Sequence, residues 1–172
     1  MLTTYFFLIQ KLTLMLHNYP NMMKKAIKVA FDGMKNNKGG PFGAIIVLND
    51  KIIARASNQV TSKNDPTAHA EIQAIRLACK KLQTFDLSQA ILFTTCEPCP
   101  MCLGAIYWSR ISSVYYGCTQ LDAQNIDFDD AFIYQEIEKP IHQRKIPFLQ
   151  NNREEALKLF EHWTEKLDKI HY

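Results

Sequence analysis

"AILFTTCEPCPMCLGAIYWSRISSVYYG", residues 90–117, carries three elements in one line. Ala90–Thr95 is a short apolar run of strand type. From Cys96 the chain opens with prolines and continues to Arg110 with apolar residues at helical spacing. Residues 112–117 return to strand. Strand, helix and strand in this order point to an α/β domain.

Towards the N-terminus, "TAHAEIQAIRLACK" (residues 67–80) gives a helix from about Ala68 to Leu82, burying Ile72, Ile75, Leu77 and Ala78. Pro66 is a natural first residue for it, and "NQVTSKNDPTA" before it is a polar loop. "PFGAIIVLNDKIIARAS" reads as a hairpin of Phe42–Leu48 and Lys51–Ser57, with Asn49-Asp50 as its two-residue turn. Ile27, Ala30, Phe31 and Met34 have helical spacing from Met23 onward, and "NNKGG" ends that helix, with Gly39 and Gly40 as breakers. Beyond residue 117, Phe128–Glu138 is helical. "KPIHQRKIPFLQ" is an irregular connection, and Arg153–Lys169 is an amphipathic closing helix. The expected architecture is a three-layer α/β/α sandwich on a sheet of five strands, mixed because of the hairpin.

Composition excludes little else. Hydrophobic residues at 47% and charged ones at 22% describe a globular chain with a core, and a net charge of +3 does not by itself call for a nucleic-acid partner. "MLTTYFFLIQKLTLMLHNYP" is no leader peptide in form: Lys11 interrupts the apolar run and no charge precedes it. The run is also too short for a bilayer. Residues 1–21 are therefore set apart as an extension, with Met15, Met22 and Met23 as later starts, and 22–172 form the domain.

Three of the five cysteines, Cys96, Cys99 and Cys102, crowd into one short stretch. A secreted disulfide framework spreads its cysteines out; clustering implies a reducing, cytoplasmic setting and metal or redox chemistry. Cys99-Pro-Met-Cys102 at a helix start puts two sulfurs near unsatisfied N–H groups, which favour thiolates. Alone, C-x-x-C is either a redox pair or half a zinc site. His69 offers the third ligand, since both segments enter helices at transitions that converge on one edge of an α/β sheet. Two cysteines and a histidine leave zinc one open position for water. Glu71, two residues after His69, then lies beside the metal without ligating it and is free to shuttle protons. Cys96 reads as a buried thiol beside the site. Cys79 and Cys118 have no evident partner, and His17, His142, His162 and His171 belong on the surface.

His69-Ala-Glu71 with Pro98-Cys99-Pro-Met-Cys102 is the H-x-E, P-C-x-x-C signature of zinc nucleobase deaminases. With "GGPFGAIIV", "NDPTAHAEIQAIRLAC", "CEPCPMCLGAIYWSR", "FDDAFIYQEI" and "IPF", the chain resembles the bacterial guanine deaminases of the cytidine-deaminase-like group from about Met22 to Tyr172. That resemblance implies hydrolysis of guanine to xanthine and ammonia by a water activated on one Zn2+ per subunit. Glu71 would be the proton shuttle. It implies a substrate site of Phe42, Asn58, Ala70, Trp108, Asp130 and Tyr172: aromatic faces from Phe42 and Trp108, an amide from Asn58, an acidic contact from Asp130 and a closing ring from Tyr172. It further implies a homodimer that exchanges C-terminal segments, so that Asp130 and Tyr172 serve the partner's site. The signature halves are shared with tRNA adenosine deaminases and fungal cytosine deaminases, so these substrates stay open. A non-catalytic zinc protein is the alternative from another class. It leaves Glu71 without a purpose.

Overall fold

The computed structural model describes residues 21–172; the expected extension, with His17, lies almost wholly outside the described residues. The chain divides into two compact units, one ending at Asp129 and the other running from Asp130 to Tyr172.

The first unit is built on helix α1 (21–35), strands β1 (Gly43–Leu48) and β2 (Lys51–Ser57), and helices α2 (Val60–Lys63) and α3 (Ala70–Leu82). Strand β3 (Ile91–Cys96), helix α4 (Pro100–Trp108), strand β4 (Ser113–Cys118) and helix α5 (Gln120–Gln124) complete it. The sheet order is β2-β1-β3-β4. β1 is antiparallel to β2 and to β3, whereas β3 and β4 are parallel. The sheet is therefore mixed, as expected, but among the described residues it has four strands and not five. The missing strand has a local reason. After Cys118 a capping box of Thr119 and Asp122 starts α5 at once. Further on, Pro140 and Pro147 remove ladder donors from the 139–150 connection, which forms only a 3-10 turn at Ile141–Gln143.

β1 is central and covered on both faces, so its apolar run needs no alternation. On one face Ile45, Val47 and Phe93 pack with Met22 and Ala26 of α1. On the other, Ala44, Ile46 and Leu92 meet Ala70, Ala74, Ile75 and Ala78 of α3 and Ile106 of α4. Each large side chain closed off here contributes about 1.5–3 kcal/mol. Gly43 makes the α1 contact possible: a Cβ there would stand 2.6 Å from the Ala26 carbonyl and the Ala30 nitrogen.

The turn falls where the sequence put it, with Asn49 and Asp50 both at positive φ (49° and 61°). Other details differ. α1 ends before Asn37, which takes the left-handed conformation, and neither Gly39 nor Gly40 has a positive φ. α3 starts two residues later than expected, Pro66 lies ahead of it, and Leu77 stays exposed. The expected closing helices are shorter: in the second unit, α6 is Ala131–Glu138 and α7 is Arg153–Glu165. Neither buries a residue. No described helix is long and apolar enough to cross a membrane.

Candidate active site

His69 and Cys99 hold equivalent places. Each is the N-cap of a helix, α3 and α4, with extended backbone (φ −64°, ψ 154° and φ −64°, ψ 167°). Their carbonyls accept the first helical N–H groups, from Gln73 at 3.0 Å and from Leu103 at 2.8 Å. Neither side chain caps its helix, so both are left to the site. Pro100 fits the first helical position, where its missing N–H costs nothing.

The His69 Nδ1 atom lies 3.5 Å from the Cys99 Sγ and 3.6 Å from the Cys102 Sγ. All three donor atoms fall within 4.8 Å of one another. A tetrahedral zinc with bonds of about 2.0–2.3 Å separates its ligands by about 3.5–3.8 Å, so both His69–sulfur distances already match the spacing the ion requires. Among the described residues this is the one such group. The Cys102 hydrogen bond, and after it that of His69, brings the Cys99 thiol down to about 4 against the effect of burial. Cys102 is pushed up, first by giving that hydrogen bond and then by burial and the Glu71 carboxylate. Cys96 ends β3 and sends its thiol to the Thr119 carbonyl at 3.5 Å, away from the donor set.

Glu71 is 5% exposed, in the first turn of α3. Its Oε1 accepts the Thr94 hydroxyl proton at 2.7 Å, and its Oε2 stands 3.5 Å from the Cys102 Sγ. Burial raises its pKa, with the Thr94 hydrogen bond opposing. A carboxylate raised in this way sits closer to the working range of a general acid–base. Thr94 is a site residue the sequence reading missed; its signal was a pair of threonines after the apolar run of the strand, of which Thr94 is fully buried in the structure.

Asn58 is also buried. Its Oδ1 accepts from the Gly40 N–H at 3.3 Å and the Val60 N–H at 3.1 Å. These two donors fix the amide's orientation and leave its Nδ2 to donate elsewhere. Gly39 is needed for this closeness, since a Cβ there would be 2.2 Å from the Asn58 Oδ1. Phe42 is half-buried and meets Phe128 edge to face at 4.8 Å. Phe128 is a second neighbour that the sequence did not single out. A cavity of about 360 Å³ opens beside them, with Phe31, Phe42, Cys96, Asp122, Ala123 and Ile126 among its walls. The three metal donors do not line it. The stripe Ile27–Phe31–Met34 faces this cavity and not the core, which explains its exposure.

Ala70, the first residue of α3, is fully buried in the core. Trp108 ends α4 with 69% of its surface exposed, which rules out a core role. Asp130 is the N-cap residue of α6 without a side-chain capping bond, and Tyr172 is exposed in the second unit.

A mixed sheet with a His-Cys-Cys donor set at two helix starts and a buried Glu beside it defines a zinc-dependent deaminase domain. Residues 17–118 match the family of the cytidine and deoxycytidylate deaminase zinc-binding region, and the chain belongs to that family. Guanine deaminase of Bacillus subtilis (strain 168) is 50% identical over 155 residues, covering 90% of this chain and 99% of that protein. The X-ray structure of guanine deaminase from Bacillus subtilis superposes with a TM-score of 0.88 over the same shares of the two chains, again at 50% identity. The tRNA-specific adenosine deaminase of the same organism is 45% identical over 95 residues, covering 55% of this chain and 58% of that protein.

Proposed function

We propose that this protein is a guanine deaminase that hydrolyses guanine to xanthine and ammonia. The observation that carries the reading is the buried Glu71 carboxylate, pinned by Thr94 beside three donors spaced for zinc. A zinc ion held by His69, Cys99 and Cys102 would act as a Lewis acid and lower the pKa of a bound water towards neutrality. Glu71 then accepts a proton from the water adding to guanine C2 and returns it to the ring nitrogen. A second proton through Glu71 lets the 2-amino group leave as ammonia. Thr94 holds Oε1, so the carboxylate cannot turn away between the two transfers.

The polar groups suit a purine. The Asn58 Nδ2 donates to a ring acceptor, while Asp130 accepts from the guanine N1–H and 2-amino group. Phe42 and Trp108 supply faces for stacking, and the Ala70 backbone borders the metal site. The long apolar side chains of α6 and α7, with Phe132, Leu159 and Phe160 open to solvent, support a homodimer with exchanged C-terminal segments. In that dimer Asp130 and Tyr172 complete the partner's pocket. The clustered thiols favour a cytoplasmic, reducing location.

Guanine is preferred to a tRNA adenosine because 50% identity to guanine deaminase extends over 90% of the chain, whereas the tRNA-specific adenosine deaminase of Aquifex aeolicus matches 74% of it at 35% identity. Ammonia release from guanine, adenine, cytosine and a tRNA anticodon stem tests this directly. Guanine alone should be turned over. Release from the stem and not from guanine would replace the reading with RNA editing.

A further inference from the structure

Three hydrogen bonds join the turn before Cys99 to the start of α5. The Cys96 thiol donates to the Thr119 carbonyl at 3.5 Å. The Glu97 N–H donates to the Cys118 carbonyl at 2.9 Å. The Glu97 Oε2 accepts the Gln120 N–H at 3.1 Å. Gln120 is the first residue of α5, whose N–H has no acceptor within the helix. One residue, Glu97, thus grips the β4–α5 junction with both its backbone and its side chain, two positions before a metal ligand. α5 in turn supplies Asp122 and Ala123 to the cavity that Phe42 also lines. The Ala123 carbonyl accepts the Phe128 N–H at 3.1 Å, so the same short helix sets the backbone of the ring packed on Phe42.

We infer that Glu97 is a positioning residue: its carboxylate clasps α5 to the zinc-binding turn and so fixes the place of Cys99. Zinc lengthens its stay only if the ligand-bearing turn cannot swing, and the strand pair alone leaves that turn held by its backbone on one side. Pro98 and Pro100 stiffen the turn, and the Glu97 side chain ties it to α5.

The bond can be cut from either end. Glu97→Ala removes the acceptor. Gln120→Pro removes the donor at a position where proline is favoured, and the preceding Thr119 already has the extended backbone (φ −86°, ψ 169°) that a following proline requires. Glu97→Gln keeps an acceptor oxygen, and Gln120→Ala keeps the N–H while removing the side chain. Zinc transfer from each loaded protein to a chromogenic chelator is the primary readout, with zinc content, melting and kcat and KM for guanine alongside. Loss of partners to ligand-bearing groups typically costs about 10–100-fold in metal affinity. Glu97→Ala and Gln120→Pro should each speed zinc release at least about 10-fold, and the double variant should be no worse than either single one, because both delete one bond. Glu97→Gln and Gln120→Ala should stay near wild type. Unchanged release in both Glu97→Ala and Gln120→Pro would overturn the inference. So would equal damage from Glu97→Gln, since charge and not the clasp would then matter. If Glu97→Ala does not fold, Gln120→Pro against Gln120→Ala decides alone.

Discussion

In the unit ending at Asp129, Ile45, Ile46, Leu92 and Phe93 are sealed from solvent, at 1% exposure or less. In the unit from Asp130 to Tyr172, Phe132, Leu159 and Phe160 keep between 56% and 70% of their surface open. Both units are supplied with apolar residues, 64 of 129 in the first and 17 of 43 in the second. They differ in what can cover it. A sheet faced by α1 on one side and α3 and α4 on the other buries side chains from every layer. The second unit has two α-helices and no strand of its own among the described residues, and segments of about 40 residues seldom close a core unaided. The metal donors and Glu71 all belong to the first unit, where packing fixes them to hydrogen-bond precision. The second unit holds only the residues proposed to complete a pocket.

The largest expected effect tests that division of labour. Glu71→Gln should keep zinc, fold and dimer while losing about 10²–10⁴-fold in turnover, the usual worth of a general acid–base group. Retention of a tenth of wild-type activity would take Glu71 out of the mechanism. Co-refolding Glu71→Gln with Asp130→Ala sharpens the contrast. If segments are exchanged, half of the dimers are mixed and each has one site with both residues intact, so about a quarter of wild-type activity returns. With no exchange, none returns.

Packing comes next. Phe93→Ala should cost about 3–5 kcal/mol, as expected for a large ring deleted from a closed core. Phe160→Ala should stay within about 0.5 kcal/mol and instead shift the mass measured by light scattering towards monomer. Comparable losses in denaturation would mean that the second unit has a core of its own.

The smallest effect is a proton count. The Cys102 hydrogen bond brings Cys99 down to about 4 and leaves Cys102 pushed up, so without metal Cys99 should be the ionised member of the pair at pH 7. Zinc uptake should therefore release about one proton from the sulfur pair, not two. Since protons leave on binding, affinity rises with pH, by about tenfold per unit for one proton. Calorimetry in buffers of different ionisation enthalpy measures the number, and a value near two would place both sulfurs as thiols before binding.

That His69, Glu71, Cys99 and Cys102 come together could be read from spacing, because side chains gathered at two helix starts keep fixed offsets in the chain. The hairpin turn at Asn49-Asp50 and the strand runs were readable for a similar reason: period and turn chemistry are local. Thr94, Phe128 and Glu97 were not. Thr94 meets Glu71 across 23 residues, and nothing local in "AILFTT" announces that partner. Glu97 finds the Gln120 N–H across another 23. Gly39 and Gly40 looked like helix breakers, yet their value lies in letting Asn58 and Phe128 come close. Leu77 had helical spacing for the core but fell on the exposed side of α3. Residue type and offset determine which chemistry a chain carries; which distant atoms meet depends on how the layers pack, and that only the tertiary structure decides.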